Sequence, residues 1–128
     1  MLKPSGHTAV HPDIAFGNEL TIQTITADEI IVNLCKEGQG KLVDNIDTLY
    51  IDVQGAELDV LKGAQEYLRK AKFIFAEVSH GGLYEGGTSL RPLIEFLEEH
   101  RFKLAFAYLN KHGWGDALFI RDVYFGQK

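Results

Sequence analysis

The hydrophobic positions of this chain change period along its length, and each change marks an element. In "LTIQTIT", residues 20–26, apolar Leu20 and Ile22 alternate with polar neighbours among β-branched side chains, which is the period-2 pattern of a strand. Thr26 followed three residues later by Glu29 forms a capping-box signature, with Asp28 also in the first turn. A helix should follow, burying Ile30, Ile31 and Leu34 and ending at Gly38 and Gly40. Cys35, one turn beyond Ile31, is expected as a small core residue. "DTLYIDV" is almost continuously apolar, as in a strand covered by helices on both faces. After Gly55 the helical spacing returns: Val60, Leu61, Ala64, Tyr67, Leu68 and Ala71 share one side, and Asp59, Lys62, Glu66 and Arg69 the other. Gly63 inside this helix costs about 1 kcal/mol relative to Ala, which points to a close backbone approach there.

"KFIFAEVS" is a second nearly all-apolar strand, and like the first it delivers an acidic residue, Glu77, to its carboxyl end. Beyond the glycine-rich "HGGLYEGGTS", Ser89 can cap a helix that admits Pro92 in its first turn and buries Leu93, Ile94, Phe96 and Leu97. "FKLAFAYL" and "DALFIRDV" flank "NKHGWG" as an antiparallel hairpin. Residues 1–19 carry Pro4 and Pro12 without sustained periodicity and are expected to be irregular, leaving 20–128 as a single α/β domain. Alternating strands and helices predict a mostly parallel sheet with helices on both faces and the hairpin as an antiparallel addition.

Composition narrows the function classes. Hydrophobic residues at 45% and charged residues at 24% are those of an ordinary globular domain. A net charge of -5 opposes binding to nucleic acid or anionic lipid. The basic cluster Arg69, Lys70 and Lys72 closes a helix, where cations complement the carbonyl end. The lone Cys35 excludes an internal disulfide, and the amino terminus shows no secretory pattern, so a cytoplasmic setting is expected. No apolar run approaches the roughly 20 residues that span a bilayer. His7 and His11 lack both a helical context and further ligands for a metal.

In open α/β sheets ligands lie beyond the carboxyl ends of the strands, where this pattern places Asp52, Gln54, Glu77, Ser79 and His80. The amides of Gly55 and its successors, at a helix start, would favour an anion on the same rim. Asp52 either faces a ligand cleft or accepts backbone hydrogen bonds in its own turn, and spacing alone allows both.

"LYIDVQGAELDVLKGA", "FAEVSHGGLYEGG" and "GWGDALFIR", in this order, resemble the carboxyl-terminal half of the FkbM-type S-adenosylmethionine-dependent methyltransferases. The resemblance implies a partial class I (Rossmann-like) methyltransferase fold and O-methylation of a small hydroxylated acceptor such as a sugar or polyketide-like compound. On this basis Asp52, Glu57 and His80 are candidate catalytic groups, and Asp52, Gln54 and Gly55 candidate cofactor contacts. Glu77, Tyr84, Trp114 and Asp116 are candidate substrate contacts. A bolder version has Asp52 and Glu77 chelating a magnesium ion, with two ligands where such a site usually needs more.

The family's glycine-rich cofactor turn has no counterpart, because none of the glycine pairs stands in a strand-turn-helix context. The chain is therefore expected to begin midway through the family pattern. Its apolar strand "LYIDV" would then have a bare edge, covered by a homo-oligomer or by a chain supplying the missing half. A non-catalytic oligomerisation or binding module is the competing expectation.

Overall fold

The computed structural model describes residues 20–81 and 86–126, together with Ala9, Pro12, Asp13 and Gly17. The paired histidines expected in the first segment, and Tyr84, lie outside the described residues. In chain order the elements are α1 (Ala27–Lys36), α2 (Gly40–Val43), β1 (Thr48–Ile51), α3 (Glu57–Lys62), α4 (Gln65–Lys70), β2 (Phe73–Ser79), α5 (Leu90–Glu99), β3 (Phe102–Leu109) and β4 (Trp114–Arg121), followed by a 3₁₀ turn at Asp122–Tyr124.

The capping box at α1 forms as the sequence indicates. Glu29 N–H donates to the Thr26 hydroxyl at 3.1 Å, and Thr26 N–H donates to the Glu29 carboxylate at 2.7 Å. Residues 20–26 are not a strand, however. They find no ladder partner among the described residues, and Leu20 and Ile22 are 86% and 70% exposed. An alternating pattern specifies which side chains share a face but supplies no neighbour to pair with. Cys35 is likewise exposed rather than in the core.

The helix expected after Gly55 is two helices with a break at Gly63 and Ala64. The break has a tertiary cause. Asp28 of α1 reaches across to accept from Gln65 N–H at 2.8 Å and Glu66 N–H at 2.9 Å, while its own N–H donates to Gly63 O at 3.0 Å. One carboxylate thus caps the first turn of α4. The close approach expected at Gly63 is present, since a β-carbon there would stand 3.2 Å from Cβ and Cγ2 of Thr26.

The four strands form one mixed sheet in the order β1-β2-β4-β3. Only β1 and β2 are parallel; β4 runs antiparallel to both β2 and β3. The expectation of a mostly parallel sheet is thereby corrected: the hairpin does not merely border the sheet but inserts its second strand beside β2.

Strand alternation assigns the two faces. One carries Ile51, Ile74, Ala76, Val78, Ala117, Phe119 and Phe102, which form the core with Leu61 of α3, Leu68 of α4, and Leu93 and Leu97 of α5. The opposite face carries a row of Tyr50, Phe75, Leu118 and Phe106 in register across all four strands. A bulge between Leu104 and Phe106 shifts the alternation of β3 and turns Phe106 and Tyr108 toward this second face. Tyr50 remains 64% exposed and Phe106 55%, although Tyr50 stacks on Phe75 with ring centroids 5.3 Å apart. The helices that enter the core all share the first face, where the sequence suggested cover on both.

Candidate active site at the strand tips

The parallel register pairs Ile51 with Ala76, so the residues that follow them, Asp52 and Glu77, arrive side by side at the strand tips. Gln54 bridges them. Its Nε2 donates to Asp52 Oδ1 at 2.9 Å and to Glu77 Oε2 at 3.2 Å. On the other side of Glu77, β4 places Asp116 directly opposite, and Tyr108 of β3 lies opposite Asp116. Asp52, Glu77, Asp116 and Tyr108 therefore form a polar row on the open face, one step beyond the apolar row. Trp114, paired with Ser79, is the next step on that face and is half-buried.

Burial of its carboxyl comes first among the causes that push Glu77 up to about 7, followed by the charges of Asp52 and Glu57, hydrogen bonding with Asp52, and the charge of Asp116. Near neutrality this group carries a proton part of the time and can both give and accept one. No three His, Cys, Asp or Glu side chains among the described residues are grouped to hold a metal ion.

Two sequence expectations meet a different geometry. The Gly55 amide donates to Glu57 Oε1 at 3.1 Å, and the Ala56 amide is directed at Val53 O at 3.5 Å. Those amides are engaged within the turn rather than presented to an anion. Ser89 precedes α5 in extended backbone but makes no side-chain cap bond. Glu57 itself is 3% exposed and turned inward, and its Oε1 also accepts from Val53 N–H at 3.2 Å. His80 is exposed at the rim, with its N–H donating to Gly113 O at 2.8 Å, so the chain after β2 is tied to the β3–β4 loop. Thr88 N–H donates to Gly55 O at 2.8 Å and ties the approach to α5 to the same turn. The site residue that sequence reasoning missed is Tyr108. Simple alternation along β3 hides it, because only the bulge puts it beside Asp116.

The family model for the methyltransferase FkbM domain matches residues 4–104, most of the chain. The chain belongs to the FkbM methyltransferase family. A relative, the 2-O-methyltransferase NoeI of Sinorhizobium fredii (strain NBRC 101917 / NGR234), is 34% identical over 95 residues, which cover 74% of this chain and 36% of NoeI. The chain thus spans about a third of the length of that relative. No solved structure matches it. Among the described residues of this FkbM-family chain no helix is long and apolar enough to cross a membrane.

Proposed function

We propose that this chain forms the strand-tip portion of an S-adenosylmethionine-dependent O-methyltransferase acting on a small hydroxylated acceptor, such as a sugar or polyketide-like compound. Residues 20–128 act as one α/β unit corresponding to the carboxyl-terminal half of the fold. The observation that carries the reading is the convergence of Asp52 and Glu77 at adjacent tips, bridged by one amide, in a chain of this family.

The donor set suits the cofactor. Its sulfonium and ammonium groups are cationic, and the row Asp52, Glu77 and Asp116 offers carboxylates on one open face. Asp52 and the Gln54 amide would hold it, beside Gly55, and when bound it supplies an electrophilic methyl group. This chain's residues then position the acceptor and take its proton. Asp52 or His80 accepts the hydroxyl proton, while Glu77, Asp116 and Trp114 line the approach of the acceptor, and Tyr84 is kept as a further acceptor contact on the family resemblance alone. No step is assigned to magnesium.

The complete site is assigned to an assembly, either a homo-oligomer or a complex with a chain bearing the family's glycine-rich cofactor turn. The open apolar row, and the side of β1 that has no partner strand among the described residues, support the assignment. A cytoplasmic setting belongs to the same reading.

Calorimetric titration with S-adenosylmethionine and S-adenosylhomocysteine tests it, alongside transfer of labelled methyl to a panel of sugars. Micromolar binding weakened at least tenfold by Asp52→Asn is expected. No heat at millimolar ligand, for the chain alone and for its assemblies, would leave only a binding module.

A further inference from the structure

We infer that Glu57 is the positioning residue of this site: from inside the fold it holds the turn through residues 53–55 so that the Gln54 amide is aimed at Asp52 and Glu77. The inference deepens the methyltransferase reading and rests on it for what the aimed groups do. Among the described residues Glu57 is the only charged or polar one that is buried. A buried carboxylate persists only when hydrogen bonds replace its lost hydration. Here they come from Val53 N–H at 3.2 Å and Gly55 N–H at 3.1 Å, both to Oε1, so a single oxygen clasps the backbone on either side of Gln54.

The clasped turn is strained. Gln54 has φ 55 and Gly55 φ 100, and a left-handed conformation is uncommon for a residue with a β-carbon. Such a conformation needs its surroundings to impose it, and the Glu57 clasp does so. The consequence reaches the rim directly, because the Gln54 side chain that leaves this turn is the one donating to both tip carboxylates. Glu57 also acts through charge. It is one of the carboxylates that surround Glu77, with Asp52 on β1's tip and Asp116 on β4. Being buried, Glu57 does not touch an acceptor and works through Gln54 and Glu77.

The test uses the whole chain and three variants: Glu57→Ala, Glu57→Gln and Gln54→Asn. Glutamine keeps an oxygen able to accept both amides and discards the charge. Asparagine tolerates the left-handed backbone but shortens the reach by one methylene. Amide exchange at Val53 and Gly55, the side-chain amide signals of residue 54 and the carbon-13 titration of Glu77 are followed by NMR. In Glu57→Ala, exchange at both amides is expected to accelerate at least tenfold and the Gln54 amide signals to move to free-chain positions. In Glu57→Gln the amides should stay within threefold of the parent while Glu77 titrates at lower pH. Gln54→Asn should keep both amides protected. Where the assembled parent transfers methyl, Glu57→Ala and Gln54→Asn should each lower kcat at least tenfold with KM for the acceptor within twofold.

Parental exchange and parental Gln54 signals in Glu57→Ala would overturn the inference, as would a Glu57→Gln variant that loses amide protection as fully as alanine. Absence of methyl transfer from every parental assembly would sink the methyltransferase reading instead, and the exchange and titration results would still decide the role of Glu57.

Discussion

Glu77 of β2 stands directly opposite Asp116 of β4, and its carboxyl meets that of Asp52 on the other side. Three carboxylates abreast cannot all be charged cheaply, so burial and its neighbours hold Glu77 near 7 where 4.5 is ordinary. The folded chain keeps this proton at pH values where the unfolded chain has lost it. Between about 4.5 and about 7 the native state binds more protons, and stability must fall as pH rises through that window. Urea unfolding at pH 5.5 and pH 8 is expected to show a lower midpoint at the higher pH, and Glu77→Gln should flatten the difference.

Asp28 is the device that breaks one helix into two. Both its oxygens accept amides at the start of α4. Asp28→Ala is expected to lower stability by about 1–2 kcal/mol, as loss of a helix cap does, and Asp28→Asn by less, because one oxygen remains. Thermal unfolding followed by circular dichroism checks the order.

Two glycines are required for room rather than for backbone freedom. A β-carbon at Gly115 would lie 2.0 Å from Tyr108 O, inside the hairpin, so Gly115→Ala should abolish soluble folded protein. At Gly63 the obstacle is Thr26, whose side chain is fixed by Glu29 and cannot step aside easily. Gly63→Ala should therefore lower stability by about 1 kcal/mol despite the better helix propensity of alanine. Chemical denaturation of the two variants separates these outcomes.

Phe106 and Tyr50 stand at the two ends of an apolar row left open to water. Association that grows with concentration is expected in sedimentation experiments. Phe106→Lys or Tyr50→Lys should shift it at least tenfold toward the monomer while leaving the far-ultraviolet spectrum unchanged.

The sequence made the local structure legible where the determining partners are close together. The Thr26–Glu29 box, the hairpin around residues 110–113 and the two acidic strand tips each depend on residues a few positions apart or on a repeating period. What escaped depends on distant partners. Residues 20–26 carry a strand pattern without a neighbouring strand, and α3 ends because Asp28 intervenes from another element. The insertion of β4 beside β2 is a choice of neighbour that periodicity does not encode. Of the candidate site, Asp52, Glu77, Trp114 and Asp116 share one face. Tyr108 was hidden by a bulge, and the inward turn of Glu57 could not be read from a helix-start position.

Sheet connectivity also imposes a sequence of events on the folding chain. β3 and β4 are joined by a short loop and can zip locally, whereas β2 reaches both β1 and β4 only across intervening helices. The strand that leads into Asp52 has 4 residues and, among the described residues, is held by β2 alone, so it is the first to detach. Hydrogen exchange should rank β1 as the fastest of the four strands, so that the carboxylate row dissolves while the hairpin still stands.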